Sequence, residues 1–548
     1  MDMSSWIVVA PPLIVILLAT ITKRILFALA LGIVSASLIV ADGNIIDACS
    51  YGLKRLVMTT QLEQVTSWAT FLSCSNLFVM LFLLLLGVLI TIIRRSGAAY
   101  AYGDFVMRRI SSAKGAQIAS LLLSNLFFID DYFGGITIGS VMQPITDRFS
   151  VPRVKLALLV SSLAAPLAIL VPLSTWVADL IGQLRNSGVG LDNTGTIISC
   201  DPYSFYLSAI PFMMYAIILV GSVWYMVATG TSYGLVARHE RYARATGELF
   251  GGKIPVARHV VDASDERKKT STILDFMLPI ALLFVLTVIG VLWTGDWYYF
   301  GGLNDFVATL QNARIFFSLF TGGLCAVLIT IIYYVTRKRI TIAELPQLIR
   351  EGGMLMFGSL GMLLFIWTLS GIIRDDLKTG VYLADLLVGQ VQAAFFPLMF
   401  FALAAFISTL IGTAWGALGI LIPLAFDMVP AFLSLPLPID IVQVPLLSAL
   451  LGAIICGSVV GNHMSPIADV IVMSATSAGA YHLDLVRSQI QLTVPTVFAS
   501  LLAYYIVGLT LDSSGSLVSA VSGICGGLVA NVFFLHLLQW IDIKRKGN

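Results

Sequence analysis

The chain has 548 residues, 58% of them hydrophobic and only 11% charged, and its mean hydropathy is +0.93. That composition excludes an ordinary soluble domain and describes a polytopic membrane protein. A net charge of +2 argues for neither nucleic acid nor a strongly anionic partner. Apolar runs of roughly 16 to 25 residues, each able to cross a ~30 Å hydrocarbon core, recur about a dozen times, and no long soluble domain interrupts them.

In chain order, residues 1–69 read as N-terminal scaffold helices. The first, over 6–21, has neither a basic segment before it nor a small-residue cleavage site, so it is expected to be retained rather than removed as a signal peptide. Basic clusters at 23–24, 94–114, 148–155, 238–269, 337–350 and at Lys544, Arg545 and Lys546 assign those segments to the cytoplasm. The N-terminus then lies outside and the C-terminus inside, with 42–76, 184–204, 294–312, 373–389 and 428–442 also outside. Residues 70–229 form a first repeat. Within it, 115–149 has cytoplasmic flanks at both ends and must enter and return as a hairpin, and a broken helix follows over 155–183. Residues 230–271 are a cytoplasmic linker rich in both charge signs, and 272–350 are further scaffold helices. The second repeat, 351–512, carries a hairpin over 390–427 with two outer flanks and a broken helix over 443–483. Residues 513–548 add a helix and a basic tail. The expected fold is all-α, with inverted repeats each holding a helical hairpin and a broken transmembrane helix, about twelve to fourteen membrane segments in all. Secondary transporters are built this way, with their sites where helices break.

Intramembrane polar residues mark the candidate site. "NLFFIDDYFGGITIG" keeps Asp130 and Asp131, with Thr137 in the same hairpin. Two mid-membrane aspartates cost on the order of 5 to 7 kcal/mol, so they should hold a proton or a cation, or face a wet cavity. "STWVAD" supplies Ser174, Thr175 and Asp179, and its match to "MSPIAD" pairs Asp179 with Asp469, while the hairpins pair Asp131 with Thr413. In "GSVVGNHMSPIADV", Gly457, Gly461 and Pro466 interrupt the helix, and Ser465 followed by Pro466 reads as an N-cap and first helical residue. Freed carbonyls would attract a cation and freed amides a carboxylate. Asn462, His463, Ser465 and Asp469 surround that gap, and Asp131, Thr413, Asn462 and Asp469 are the candidate Na⁺ ligands. A wet His463 would add titration near neutrality. A proton and a hard cation compete for the same carboxylate oxygens, which is the simplest physical route to exchange.

Other chemistries find little support. "GELFGGKI" lacks the hydroxyl residue of a phosphate-binding loop, since Ile254 takes that place. The histidines and cysteines show no metal-ligand spacing, and His239, His259, His482 and His536 read as loop or interfacial residues. Cys49, Cys74 and Cys200 fall in or near outer segments, where a disulfide is compatible with their placement. No protease motif flanks the aspartates, so an enzyme ranks below a carrier, and no cofactor is expected beyond transported Na⁺ and H⁺.

The stretches "FFIDDYFGGITIGSVMQPITDRFSVPRVKLA", "AAPLAILVPLSTW", "IGTAWGALGILIP" and "GNHMSPIAD" together resemble the NhaC family of bacterial sodium/proton antiporters, within the ion-transporter superfamily. The resemblance covers roughly residues 70 to 510. It implies a transport domain of two hairpins and two broken helices moving against a scaffold, exchanging Na⁺ or Li⁺ for H⁺ across a prokaryotic inner membrane. Departures from the family pattern fall at Gly134, where members often carry asparagine, near Ser161, where they often carry an aspartate, and at Asn462, where they often carry aspartate. Fewer acidic ligands would also suit a Na⁺- or H⁺-coupled carrier of an amino acid or small organic acid. Na⁺, H⁺ and the lipid bilayer are the expected partners; a small organic substrate and a homodimer stay open.

Overall fold

Glycine, proline and charge punctuate the apolar runs, and in the computed structural model those runs become helices. All residues are described except 1–5, 23, 72–73, 99–100, 102–107, 192–195, 255–270, 305–308, 310–312, 388–390, 467 and 545–548. His259, Arg545, Lys546 and part of the linker lie outside the described residues. Among the described residues, eleven helices are long and apolar enough to cross a membrane.

The N-terminal helices Ala10–Thr22 and Ile25–Val40 pack against each other, and Ile45–Thr60 follows. Asn44 caps that third helix by accepting from the Ile46 and Asp47 amides, which satisfies donors that have no partner within a first turn. Ser75–Ser96 ends on Gly97 at φ +75°, with Arg94 and Arg95 in its last turn, where cations complement the helix dipole. The first hairpin is Ala113–Leu126 and Asp131–Arg148, and the first broken helix is Arg153–Leu170 and Thr175–Asn186. After Pro202–Ala209 and Met214–Thr229 the linker helix Gly234–Thr246 leads to Ile273–Thr294 and Ile315–Thr336. Leu345–Gly371 opens the second series, and a π-helical turn at Ile372–Asp376 follows it. The second hairpin is Phe396–Ile411 and Ala414–Phe432, turned at Gly412 with φ +86°. The second broken helix is Leu446–Met464 and Asp469–Ala478; His482–Ser514 and Ser516–Lys544 complete the chain.

Lipid gives helices no hydrophobic reason to associate, so close packing at small residues has to do it. Gly87 of Ser75–Ser96 and Gly352 of Leu345–Gly371 meet backbone to backbone: a Cβ on either would run into the other helix. These two helices thus cross where neither carries a side chain.

Two features lie beyond the sequence expectations. A parallel three-stranded sheet joins Val189–Gly190, Ile198–Ser199 and Ile439–Asp440, tying the loop after the first broken helix to the loop after the second hairpin. Strands this short carry no period to detect. The linker is also a clamp. Lys155 Nζ lies 3.0 Å from Glu240, Leu249 O accepts from the Arg153 amide at 3.3 Å, and Lys253 Nζ donates to both Asp484 oxygens at 2.7 Å. "GELFGGKI" therefore braces both repeats, its lysine occupied by a carboxylate. All six cysteines are free, so no disulfide joins Cys49, Cys74 or Cys200.

Candidate functional site

The first hairpin turns just before Asp131, and the turn is buried: Asp130 is 3% and Asp131 2% exposed. Asp130 O accepts from the Gly134 amide at 2.9 Å, starting the helix. Its carboxylate accepts from Thr175 Oγ1 at 3.0 Å, and the Thr175 amide donates to Ile129 O at 2.9 Å. The hairpin tip is thereby pinned to the break in Arg153–Asn186. Asp131 differs: the Trp176 indole and the Asp131 and Tyr132 amides face its carboxyl, yet neither oxygen makes a hydrogen bond of regular geometry. A buried carboxylate left so is costly unless a proton or cation joins it. Thr137 is buried further along the same helix.

At the first break, residues 171–174, Ser174 accepts from the Val177 amide at 3.1 Å and donates to Ala168 O at 2.6 Å. Both capacities are spent joining the two half-helices, so Ser174 acts as a cap. Trp176, Asp179 and Gln183 lie at helical spacing on one face of Thr175–Asn186. The Trp176 ring lies 4.5 Å from that of Trp415 of the second hairpin, tilted by 36°, which brings that hairpin's tip to this helix. Asp179 Oδ1 and both terminal atoms of Gln183 are buried without partners, as is Trp367 Nε1, whose ring presses on Gly182. This row of unsatisfied polar groups continues the site away from Asp131. Gln183 and Trp367 were not singled out by sequence, where a glutamine on a helix signals nothing until the facing element is known.

The second break corrects the expected register. Ser465 is the C-cap of Leu446–Met464, and the next half-helix starts at Asp469 from an extended Ala468. Ser465 and Pro466 thus belong to a connecting turn, in which Ser465 O accepts from the Ala468 amide at 3.2 Å, and the chain is helical again only from Asp469. Asp469, as a first helical residue, corresponds to Thr175 and not to Asp179. By the same register Thr413, the N-cap of Ala414–Phe432, corresponds to Asp130 and not to Asp131.

The condition of a wet His463 is not met. The residue is 0% exposed, with Nδ1 2.7 Å from the Tyr215 hydroxyl and Nε2 3.2 Å from Ser161 O. The simplest assignment has Nε2–H donating to the carbonyl and Nδ1 accepting from tyrosine. Ser161 and Ser162 in turn donate to Gln489 Oε1 at 2.7 and 3.1 Å, so a polar network locks the second broken helix to the first. His482, read as a loop residue, reaches the break itself, its Nε2 donating to Pro466 O at 2.8 Å.

Asp469 is exposed, and its Oδ2 accepts from the Tyr132 hydroxyl at 3.5 Å, one residue beyond Asp131. Helix Asp469–Ala478 lies along Asp131–Arg148, where Ser477 Oγ donates to Gly135 O at 2.7 Å. Each hairpin tip therefore contacts the broken helix of the other repeat. Asn462 and Ser465 are buried beside this break, and Thr413 makes no side-chain cap hydrogen bond. Among the described residues no three His, Cys, Asp or Glu side chains gather as a metal-holding group, so any bound cation would rely on carbonyl and hydroxyl oxygens beside at most two carboxylates.

The model of the Na⁺/H⁺ antiporter family matches residues 167–509. An uncharacterized protein of Haemophilus influenzae is 31% identical over 523 residues, covering 95% of this chain and 94% of that one. Among solved structures, the Alcanivorax borkumensis YdaH transporter is similar at 16% identity and a TM-score of 0.48, over 91% of this chain and 90% of that one. Neisseria gonorrhoeae MtrF, whose structure is described as illuminating a class of antimetabolite efflux pumps, is similar at 15% identity and a TM-score of 0.38, over 92% and 85%.

Proposed function

The chain belongs to the Na⁺/H⁺ antiporter family, a multi-pass membrane transporter and not an enzyme, and from that premise we propose that it exchanges Na⁺ (or Li⁺) for H⁺ by alternating access. The observation that carries the proposal is Asp131, buried at a hairpin tip with neither oxygen in a hydrogen bond of regular geometry. In one loaded state this carboxylate holds a proton and in the other it neutralises the cation. The two states exclude each other because the same lone pairs serve both. Asp130, held by Thr175, keeps its neighbour's helix in register with the break. Tyr132 links Asp131 to Asp469, and Thr413, Asn462 and Ser465 supply neutral oxygens as the cation leaves water. Hairpins and broken helices carry the site, while the glycine-crossed helices Ser75–Ser96 and Leu345–Gly371 form part of the frame.

A second reading, Na⁺- or H⁺-coupled transport of an amino acid or small organic acid, draws on the absence of a third acidic ligand among the described residues. One experiment separates the two. Purified protein in vesicles enclosing a pH-sensitive dye is given inward gradients of Na⁺, Li⁺ or K⁺, and then of amino and organic acids. Proton flux answering to Na⁺ or Li⁺ alone is expected. Flux that requires an organic solute replaces this reading with the second, and flux answering to none of them overturns both.

A further inference from the structure

Two adjoining cavities of about 390 and 350 Å³ open at one end of the molecule and share Ile490 and Gln491. They sit where Met214–Thr229 has just ended, His482–Ser514 begins and Ser516–Lys544 finishes, which places them at a membrane boundary. Their linings differ in chemistry. The first holds Arg238 and Arg487, both exposed and neither hydrogen-bonded nor ion-paired to any described residue. The second is mostly apolar, with Val494 and Leu538; its carboxylate, Asp542, lies 3.5 Å from Arg241. Trp540 is 57% exposed, with Lys544 Nζ 4.9 Å above its ring, an arrangement suited to the headgroup layer.

We propose that this groove binds one anionic phospholipid of the adjoining leaflet, its phosphodiester between Arg238 and Arg487 and an acyl chain along Ile490, Val494 and Leu538. Charge complementarity selects this occupant. Two guanidiniums without carboxylates offer fork-shaped donors to a phosphate, and basic pockets between membrane helices at this level recognise such headgroups. The adjoining apolar cavity explains why the ligand is a lipid and not a free phosphate. The lipid would also join the linker helix Gly234–Thr246, which grips Lys155 through Glu240, to the last two membrane helices.

The test uses the full chain in detergent, stripped of lipid, with thermal unfolding followed during titration with phosphatidylglycerol, phosphatidylcholine or glycerol phosphate. Phosphatidylglycerol should raise the midpoint saturably and the other two should not. At about 1 kcal/mol per basic side chain near an anionic headgroup, the double variant Arg238→Gln/Arg487→Gln should need about 30-fold more phosphatidylglycerol for the same shift. If that variant is not monodisperse, Arg487→Gln alone is read the same way, with about fivefold expected. Equal responses to phosphatidylcholine, an equal response to glycerol phosphate, or unchanged titration in the variants would each overturn the proposal.

Discussion

Asp130 and Asp131 are neighbours in sequence and opposites in circumstance, and the difference predicts how each behaves when changed. Asp130 accepts from Thr175, so its role is to hold the tip, whereas neither oxygen of Asp131 makes a hydrogen bond of regular geometry. Asp131→Asn should leave the unfolding temperature at or above that of the parent while Na⁺-driven proton flux in vesicles falls to background. Thr175→Val should do the reverse, costing about 1.5–3 kcal/mol, the usual worth of a hydrogen bond to a charged group, and keeping measurable flux. If both variants lose stability and keep flux, the tip is scaffold. A third carboxylate answers to pH outside the membrane. Asp201 caps Pro202–Ala209 by accepting from the Ser204 amide at 2.8 Å, and burial pushes its carboxyl up from 3.8 to about 6. The folded state therefore binds this proton more tightly than the unfolded chain does. The resulting stability is fully present below about pH 4 and is lost as pH rises through about 6. Asp201→Asn keeps a good cap and removes the charge, so the difference in unfolding temperature between variant and parent should move in the variant's favour from pH 4 to 8. A difference independent of pH would show that Asp201 is not the titrating group.

Between elements, the decisive contact is the crossing of Asp131–Arg148 with Asp469–Ala478. A Cβ on Gly139 would meet Ser477 Cβ at 2.8 Å and the Ala478 amide at 2.9 Å, and the Ser477 hydroxyl is committed to Gly135 O. Gly139→Leu should therefore cost about 1–3 kcal/mol in overpacking and slow transport. Gly358→Leu makes the same chemical change on Leu345–Gly371, where nothing lies within 4 Å, and should do neither. Matching effects of the two, read as unfolding temperature and flux, would mean that helix propensity and not the crossing is being measured. Sequence announced the hairpins and both breaks, because glycine, proline and charged flanks act locally. It did not announce where each half-helix restarts: the Ser465–Pro466 pair has a capping signature, yet the chain turns helical only at Asp469. Nor could it foresee the network of His463, Tyr215, Ser161 and Gln489, since its members are far apart in the chain and each alone looks like an isolated polar residue in an apolar run. Asp179 was legible as an intramembrane charge, but its unsatisfied neighbours Gln183 and Trp367 become visible only after the helices pack.

For the whole molecule, inverted repeats make a demand about sidedness that charge already encodes. Around the first hairpin stand Arg108, Arg109, Lys114, Arg148, Arg153 and Lys155, whereas between Lys378 and Arg487 the chain has no lysine or arginine at all. Segments rich in basic residues stay on the cytoplasmic side, and segments without them are free to cross. Both ends of the first hairpin should then lie inside and both ends of the second outside, so that the two tips enter from opposite faces. The residues to test are Ser112 and Ser150 for the first hairpin and Gln392 and Ser434 for the second, all exposed. Placed one at a time in a background whose native cysteines have been replaced, Cys at 112 and 150 should resist a membrane-impermeant maleimide in intact cells and react in inverted vesicles. Cys at 392 and 434 should react in intact cells. The pairs matter more than the absolute side. A pair split across the membrane would turn that hairpin into two ordinary crossings and remove the inverted relation between the repeats, while a uniform exchange of sides would keep the fold and reverse only its insertion.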